Sequence, residues 1–473
     1  MELTFLIKCI YWLNILFAIY IMVRVILNNR NPAHTVAWAL VLLFVPLLGL
    51  VLYFFFGRDT RRRRYINKRL LSQLQQNSYA HHSPHATTNV PSVYRRMVDY
   101  FENTSYSTLL SAYDANIITD GRQFLEVLLH DISEARHHIH MMFYIFENDE
   151  VGCGVRDALV AKAREGVEVR LIYDSVGCWT VPVDFYDDIR RAGGYVVPFL
   201  KVRFPLFTNK VNYRNHRKVV VIDGKIGFVG GFNIADRYVK GCSWGRWRDT
   251  MLRLRGSVVH ALQGVFLMDW YFADRSQVSG KYYFPVPETK GHIPAQVVTS
   301  TPVGRWRTVM NAYIYALSQA KNYIYMQTPY LMPNEQLISM MQNAALSGVD
   351  VRLMIPLQSD SKLTDYASYS YVGELLEAGV KIYLYREGFV HAKTFVSDDM
   401  LSIVGSANID FRSFYYNFEV CTCVYDESTA KRLKNIFYDD IKLSHQLTMK
   451  EFAGRSWGHR CMESLSRLLS PIL

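Results

Sequence analysis

HRKVVVIDGKIGFVGGFN, residues 216–233, and HAKTFVSDDMLSIVGSAN, residues 391–408, are two copies of one sequence pattern. In both copies a histidine is followed by a lysine two positions later, an aspartate after seven, a glycine after fourteen and an asparagine after seventeen. A single match of this kind could arise by chance, but two copies in the same register are very hard to obtain that way. The pair therefore predicts both the fold and the chemistry of the chain.

Each motif has the composition of a β-hairpin. Side chains two positions apart on a strand point to the same face, so His216 and Lys218 are expected side by side. Apolar and β-branched residues follow the lysine in both copies, which favours a strand. An aspartate then opens a turn, Asp223 in the first copy and Asp398 in the second, and another apolar run begins. Histidine and lysine are thus expected together at one end of each hairpin.

These residue types suit attack on a phosphodiester, whose negative charge repels nucleophiles. Lysine neutralises that charge as a compact cation, and histidine attacks phosphorus or transfers a proton near neutral pH. Two motifs supply two histidines, one for each side of the phosphorus atom. The two aspartates are expected to position other groups rather than to carry protons. The predicted catalytic residues are His216, Lys218, Asp223, His391, Lys393 and Asp398.

The doubled motif resembles the signature of the phospholipase D superfamily. Similarity between the halves extends beyond the motifs, as between Gly166–Leu171 and Gly348–Leu353, and indicates an internal duplication. Alternating strands and helices before each motif predict an α/β layered fold. The resemblance implies two tandem phospholipase D-like α/β/α domains, residues 111–292 and 293–473, which share one active site about a pseudo-twofold axis.

Four supporting residues follow from the resemblance. Asn233 and Asn408 would donate hydrogen bonds to phosphate oxygens. An acidic residue beyond each motif would accept the second N–H of the histidine and fix its tautomer, which points to Asp249 after the first motif and Glu419 after the second. The distance from histidine to acid is 33 residues in the first half and 28 in the second. A surface acid on a strand is the alternative interpretation. The first copy also has glycine where the second has serine, which removes a possible hydroxyl donor.

The N-terminal region predicts a membrane anchor. Leu3–Ile26 and the uncharged run Thr35–Phe56 are each long enough to span a bilayer, which predicts a two-helix transmembrane hairpin in residues 1–58. A basic juxtamembrane segment and a polar linker are expected in residues 59–110. Because basic residues flank spans on the cytoplasmic side, the catalytic region is expected in the cytoplasm, with both termini inside. The basic residues are Arg58, Arg61, Arg62, Arg63, Arg64, Lys68 and Arg69.

The N-terminal hairpin and the ending Ser470–Leu473 resemble the bacterial cardiolipin synthase family, and the resemblance covers essentially the full length. In that family two phosphatidylglycerol molecules become cardiolipin and glycerol. The resemblance thus implies a multi-pass phosphatidyltransferase of the bacterial inner membrane, with anionic lipids as partners. It implies that His216 forms a phosphatidyl-histidine. His391 would protonate the departing glycerol and then deprotonate the acceptor hydroxyl, while Lys218 and Lys393 hold the phosphate charge.

Composition agrees with this assignment without deciding it. The formal net charge of +11 suits an anionic membrane surface and would suit nucleic acid equally, although no nucleic acid partner is expected. The seven cysteines form no metal-spaced set, and no P-loop or zinc-protease spacing occurs. The chain also lacks the aspartate-rich signature of metal-dependent CDP-alcohol transferases. No metal and no cofactor are therefore expected.

Three alternative functions remain open on the sequence alone. A phospholipase D-type hydrolase would use water as the acceptor, and a membrane-anchored nuclease of the same superfamily could carry the same motifs. An inert binder of anionic lipid or nucleic acid would have no need of paired histidines. Two local questions also stay open. Tyr144 and Tyr330, which follow equivalent strands, could flank the site or pack in the core. The tail Trp457–Leu473 could lie on a membrane or on the protein body.

Overall fold

The computed structural model describes residues 2–27, 32–53, 89–105, 107–201, 213–287, 289–471 and 473. These residues belong to two units, an N-terminal helical unit and a compact body that holds both motifs. The basic residues from Arg58 to Arg69 and most of the predicted linker lie outside the described residues.

The N-terminal unit consists, in its described part, of the helices α1 (Glu2–Leu27), α2 (Pro32–Phe44) and α3 (Pro46–Leu52). Within α1, the stretch Phe5–Leu27 is long and apolar enough to cross a membrane. Most of its large apolar side chains are exposed, which is unfavourable in water and favourable in lipid. The first predicted span is therefore present as a helix.

The second apolar run differs from the single span expected over Thr35–Phe56. It is interrupted before Pro46, because proline has no N–H to donate and its ring displaces the carbonyl of the preceding turn. Helix α3 then folds back on α2, so that the rings of Trp38 and Tyr53 lie 5.4 Å apart. Fifteen residues of straight helix would separate them by roughly 22 Å. Of the expected hairpin, the structure thus shows one long helix and a second segment that is bent.

The body alternates strands and helices along the chain. Its helices are α4 (Arg95–Ser105), α5 (Gly121–Ser133), α6 (Glu150–Arg164), α7 (Asp187–Arg191), α8 (Asp236–Lys240), α9 (Val258–Asp274), α10 (Thr308–Gln319), α11 (Glu335–Leu346), α12 (Lys362–Glu377), α13 (Phe411–Tyr415), α14 (Glu427–Lys442), α15 (Met449–Ala453) and α16 (Trp457–Leu469). Its strands are β1 (Leu110–Ile118), β2 (His138–Phe143), β3 (Glu168–Asp174), β4 (Tyr195–Phe199), β5 (Arg214–Asn215), β6 (Val219–Ile222), β7 (Ile226–Gly230), β8 (Arg246–Arg248), β9 (Met251–Gly256), β10 (Ile293–Ser300), β11 (Tyr323–Gln327), β12 (Asp350–Pro356), β13 (Lys381–Tyr385), β14 (Gly388–Val390), β15 (Thr394–Ser397), β16 (Leu401–Gly405), β17 (Asn417–Val424) and β18 (Ser444–Leu447).

Among the described residues, 16 strands join in one mixed sheet. The order is β18-β13-β12-β11-β15-β16-β17-β10-β1-β9-β7-β6-β2-β3-β4, with β5 attached to β17. It is nearly symmetric about the antiparallel pair of β1 and β10. In the first half β2, β3 and β4 are parallel, and in the second half β11, β12 and β13 are parallel. The expected duplicated α/β fold is confirmed, and the second half begins with β10.

Both motifs form the predicted hairpins, β6 with β7 and β15 with β16. All four residues of Val219–Ile222 are buried, because both faces of β6 are covered by helices or neighbouring side chains. The turns have positive φ at both central residues, 53° at Asp223 and 67° at Gly224, then 52° at Asp398 and 54° at Asp399. Positive φ at both central residues is a feature of the type I′ turn, whose twist matches that of the flanking strands.

Two short parallel pairings connect the halves next to the motif histidines. Strand β5 pairs with the start of β17, and β14 pairs with β8. The backbone N–H of His216 donates to the carbonyl of Phe418 at 3.0 Å, and that of His391 donates to Arg248 at 2.7 Å. Each histidine is therefore attached by its backbone to the opposite half of the molecule.

The predicted linker is shorter than expected, because residues 95–105 form helix α4. Phe101 lies four residues after Met97 and three after Val98. All three side chains are buried in the core of the second half, beside Val298 and Tyr313. This spacing is that of an amphipathic helix. The polar composition that predicts a linker belongs to the residues before this helix.

The C-terminal helix α16 buries two polar side chains and exposes most of its large apolar ones. Glu463 and Ser466 are buried, and Arg467 donates to Glu374 on α12 at 2.8 Å. The helix thus docks on the body and keeps an apolar outer face, while Leu473 beyond it lines the large cavity of the body. The exposed apolar side chains of α16 are Trp457, Met462, Leu465, Leu468 and Leu469.

Candidate active site

Both motif histidines line a single cavity of about 620 Å³, whose wall comes from both halves of the body. His391 follows His216 by 175 residues in the chain, so only the pseudo-twofold fold brings them together. A cavity of this volume is typical of small-molecule and head-group sites. The shared site predicted from the doubled motif is therefore present as a geometric arrangement.

His216 is held by a carboxylate from the second half. Its Nδ1 lies 3.0 and 3.2 Å from the two carboxylate oxygens of Glu419. Glu419 also accepts hydrogen bonds from Nδ2 of Asn417 at 3.1 Å and from the hydroxyl of Ser406. With Nδ1–H donated to this carboxylate, Nε2 of His216 remains unprotonated and available to a substrate, which is the state that a nucleophile needs.

His391 is held in the same way by a carboxylate from the first half. Its Nδ1 lies 2.6 Å from Oδ2 of Asp249, which is fully buried. The other oxygen, Oδ1, accepts the backbone N–H of Thr250 at 2.7 Å. Both supporting acids named from the sequence therefore contact a motif histidine, in spite of their unequal spacing.

The pairing is crossed, which sequence order did not indicate. Each acid follows one motif in the chain but contacts the histidine of the other motif. The crossing arises because β5 lies beside β17, the strand of Glu419, and β14 lies beside β8, which ends one residue before Asp249. Each histidine is thus oriented by the half that does not contain it, and neither half alone would hold a complete site.

The glycine-for-serine difference between the motifs has a steric reason. A Cβ at Gly231 would lie 2.0 Å from Oδ1 of Asp249, so only glycine leaves room for this carboxylate. In the second half the longer Glu419 side chain instead receives the hydroxyl of Ser406. The two departures from symmetry, glycine for serine and aspartate for glutamate, therefore compensate each other.

Both motif lysines lie directly behind their histidines. Nζ of Lys218 donates to the His216 carbonyl at 2.7 Å, and Nζ of Lys393 donates to the His391 carbonyl and lies 2.8 Å from its Nδ1. Both lysines are almost fully buried. Burial lowers the pKa of Lys393 to about 8 and that of Lys218 well below its ordinary value. A bound anion would stabilise the charged form of both lysines, so the pair favours the uptake of a phosphodiester.

The charges of the protein groups at the site balance without a protonated histidine. Burial, reinforced by the lysine charges, lowers the pKa of His391 to about 3 and also lowers that of His216, although the carboxylates oppose the change. Burial alone would raise the pKa of Glu419 and of Asp249, but the adjacent histidines and lysines lower both. Two lysines therefore face two carboxylates. A bound phosphodiester adds one negative charge, which favours one protonated histidine.

Asp223 and Asp398 lie apart from this centre, and each positions backbone groups, as expected of the two motif aspartates. Asp223 accepts the backbone N–H groups of residues 136, 137 and 138 at 2.8 to 2.9 Å. Asp398 accepts those of residues 321, 322 and 323 at 2.6 to 2.9 Å. Both lie in the turn at the far end of the hairpin, five residues beyond the lysine, or roughly 16 Å along a strand. They fix that turn to the start of β2 and of β11.

The motif asparagines line the cavity, as expected, but each amide nitrogen already donates one hydrogen bond. Nδ2 of Asn233 donates to the hydroxyl of Tyr238 at 2.5 Å, and Nδ2 of Asn408 donates to Asp410 at 2.9 Å. An amide nitrogen carries two hydrogens. One hydrogen on each asparagine is therefore still available to a phosphate oxygen.

Aromatic rings flank the two histidines. The ring of Tyr144 lies 5.1 Å from that of His216, and the ring of Tyr330 lies 6.4 Å from that of His391, so the flanking position is the one observed. The ring of Trp247 lies 5.1 Å from that of His391 and was not predicted. It lies two residues before Asp249, which was predicted as a supporting acid.

Arg237 and Arg412, two of the three described arginines that line the cavity, were not among the predicted residues. Each lies four residues after a motif asparagine, so a longer comparison of the two copies would have found them. The positive charges of the site come from lysine and arginine. In the part of the chain that the structure describes, no group of three or more His, Cys, Asp or Glu side chains is arranged to hold a metal ion.

Known proteins resemble this chain over its whole length. Residues 128–270 and 313–441 match a family described as "Cardiolipin synthase, PLD-like domain", and residues 15–58 match "Phospholipase D-nuclease N-terminal". The chain is 39% identical to the major cardiolipin synthase ClsA of Bacillus subtilis (strain 168), over 99% of both chains. It is 38% identical to a cardiolipin synthase of Listeria monocytogenes serotype 4b (strain CLIP80459), over 100% of this chain and 99% of that protein. A solved phosphatidylserine synthase of Haemophilus influenzae Rd KW20 shares the fold, with 14% identity, a TM-score of 0.61, and coverage of 80% of this chain and 99% of that one.

Proposed function

The chain belongs to the cardiolipin synthase family of phospholipase D-like proteins, and we propose that it converts two phosphatidylglycerol molecules into cardiolipin and glycerol. The observation that carries this proposal is the crossed pairing of His216 with Glu419 and of His391 with Asp249 on one cavity. Phosphatidyl transfer needs one neutral nucleophile and one group that gives and takes a proton. Two histidines with fixed tautomers supply both.

In the first step Nε2 of His216 attacks the phosphorus of a phosphatidylglycerol. A P–N bond forms and the P–O bond to the head-group glycerol breaks. His391, protonated once the anionic phosphodiester is bound, gives its proton to the departing glycerol oxygen. Lys218 and Lys393 hold the charge on the phosphate, and the free amide hydrogens of the motif asparagines are directed to its oxygens.

In the second step the phosphatidyl-histidine is transferred to a second lipid. His391, now neutral, takes the proton from a glycerol hydroxyl of another phosphatidylglycerol as its oxygen attacks phosphorus. The P–N bond breaks, which restores His216 and releases cardiolipin. Each step is the chemical reverse of the other with a different alcohol, so no metal and no cofactor are needed to balance the reaction.

The proposal is tested with the purified full-length enzyme in vesicles of phosphatidylglycerol labelled in the head-group glycerol. Cardiolipin and free glycerol are expected in roughly equal amounts with little phosphatidic acid, and excess glycerol should reverse the reaction. Mostly phosphatidic acid would support the hydrolase alternative. Absence of lipid turnover together with cleavage of nucleic acid would support the nuclease.

Helix α1 and the relatives indicate association with a membrane. The catalytic body is proposed to lie in the cytoplasm, because the basic residues from Arg58 to Arg69 follow the apolar segments. Because the second segment bends before Pro46, the number of membrane crossings and the orientation are measured with the same two cysteine labels. A cysteine label near Ser83 should react only after permeabilisation. A label at Asn31 should react from outside if the second segment crosses, and reaction at Ser83 from outside would reverse the orientation.

The outer face of α16 is proposed to contact the bilayer beside the active site. A helix that buries Glu463 and Ser466 and exposes Trp457 and Leu468, 81% and 77% exposed, is unfavourable against water and favourable at a lipid interface. The chain that leaves this helix ends at Leu473, which lines the cavity. Replacing Leu465 and Leu468 together by glutamate should therefore lower turnover of vesicle lipid by about tenfold. Turnover of a dispersed short-chain phosphatidylglycerol should be unchanged.

The control is Leu346→Glu, which makes one such replacement at a comparably exposed leucine, 71% exposed at the end of α11. This variant should keep both activities. Equal loss with vesicle lipid and dispersed lipid in the α16 variant would show that the face serves folding instead. No loss with either substrate would show that the bilayer does not contact it.

A further inference from the structure

Two arginines occupy equivalent positions just beyond the motifs. Arg237 in α8 and Arg412 in α13 each lie four residues after the motif asparagine, and both line the cavity. Arg412 lies close to the catalytic centre: burial raises the pKa of Tyr144, whose ring is 5.1 Å from that of His216, and the positive charge of Arg412 opposes that rise. The two-step mechanism above uses neither arginine.

The two arginines differ in what offsets their charge. Glu147 and Met332 occupy equivalent positions, since their backbone N–H groups donate to the isoleucine after each motif asparagine, at 2.9 and 2.8 Å. Glu147 lies 3.7 Å from Arg237. Met332 has no charge to offer, and among the described side chains no carboxylate forms an ion pair with Arg412. A carboxylate of the protein thus offsets the charge of Arg237, whereas Arg412 remains available to an anionic ligand.

Two acids that share the cavity with Arg412 are engaged elsewhere. Asp410 accepts the backbone N–H of Ser413 at 2.7 Å and Nδ2 of Asn408 at 2.9 Å, and burial raises its pKa. Asp360 accepts the hydroxyl of Tyr330 at 2.7 Å. Both carboxylates are therefore used by protein groups.

Hydroxyl-binding groups lie in the same wall. The amide oxygens of Asn408 and Asn417 have no hydrogen-bond partner, although the two side chains are only 6% and 7% exposed and line the cavity. A buried amide oxygen without a donor is costly, and it accepts from hydroxyls but not from phosphate oxygens. An unpaired cation and two unpaired acceptors beside one catalytic centre match a phosphoglycerol group.

The proposed reaction brings two phosphodiesters into the cavity, one at the reacting centre and one in the acceptor lipid. The two lysines serve the first. We propose that Arg412 binds the phosphate of the second phosphatidylglycerol, while Asn408 and Asn417 accept hydrogen bonds from its glycerol hydroxyls. This assignment rests on the proposed function. It also explains why only one of the two arginines is paired. The departing glycerol has no phosphate, so Arg237 can remain paired with Glu147.

The test compares two acceptors in the full-length enzyme. Cardiolipin formation uses an acceptor with a phosphate, whereas exchange of labelled free glycerol into phosphatidylglycerol uses one without. Arg412→Gln should lower cardiolipin formation by about 30-fold or more, as expected for loss of a charge-assisted contact, and glycerol exchange by less than about threefold. Arg412→Lys should restore part of the cardiolipin formation, because the charge returns without the planar fork.

Two further variants calibrate the result. Arg237→Gln should have the smaller effect of the pseudo-symmetric pair, and the surface variant Arg305→Gln should change neither activity. Equal loss of both activities in Arg412→Gln, or unchanged cardiolipin formation, would overturn the assignment. If the unmodified enzyme forms no cardiolipin and exchanges no glycerol, the proposed function itself fails.

Discussion

Replacement of His216 by alanine is expected to lower cardiolipin formation by about 10⁵-fold or more, and replacement of His391 by about 10³- to 10⁴-fold. The first change removes the atom that forms the P–N bond. The second removes only the proton donor and acceptor, and a donor lipid with a better leaving group should avoid part of that loss. With a nitrophenyl ester of phosphatidic acid, His391→Ala should still release a burst of nitrophenol equal to the enzyme concentration, because nitrophenolate leaves without a proton.

The burst identifies the nucleophile. His216→Ala should show none, and the burst of His391→Ala should end in a phosphorylated histidine that mass spectrometry locates at residue 216. The exposed His130 on α5 provides the control, since His130→Ala should keep full activity with both substrates. Near-normal cardiolipin formation in either active-site variant would contradict a single site with two histidines. A burst in His216→Ala together with none in His391→Ala would exchange their roles.

The repeated motif was enough to predict the hairpins and the shared site. Valine and isoleucine after Lys218 favour a buried strand, and an aspartate before glycine or aspartate favours the left-handed turn. The sequence also identified both supporting acids. It could not show that the acids cross, because crossing depends on β5 pairing with β17 and β14 with β8. These contacts involve two or three residues each and leave no pattern in the chain.

What the sequence left undetermined has equally local causes. Asp223 and Asp398 belong to the repeated pattern, and their roles in the turns make them as regular in spacing as the histidines. Spacing alone does not distinguish a residue that the chemistry needs from one that the hairpin needs. The single span over Thr35–Phe56 was predicted from apolarity, which is blind to the bend that Pro46 causes. Arg412 was not predicted from the sequence, because its proposed role depends on a structural difference between the halves. Its counterpart Arg237 lies beside Glu147, whereas the equivalent position in the second half is Met332.

The crossed acids give the second large effect. Glu419→Gln and Asp249→Asn should each lower cardiolipin formation by about 10³- to 10⁴-fold, as expected when a buried carboxylate that fixes a catalytic histidine becomes an amide. The losses should occur in different steps. With the nitrophenyl donor, Glu419→Gln should lose the burst, because His216 loses the group that leaves its Nε2 unprotonated. Asp249→Asn should keep the burst and stop afterwards, because His391 can no longer activate the acceptor.

This pattern distinguishes the crossed arrangement from one in which each acid serves its own motif. If Glu419 served His391, its loss would spare the burst, and the loss of Asp249 would abolish it. The comparison holds whichever histidine is the nucleophile. In the crossed arrangement, the acid whose substitution abolishes the burst must lie in the half of the chain that does not contain the nucleophile. Glu165→Gln, at an exposed glutamate of the first half, should leave both phases unchanged. An enzyme that places the nucleophile in one half and its orienting carboxylate in the other can form its phosphatidyl-histidine only when both halves are folded against each other. A site so divided is complete only in the intact duplicated body.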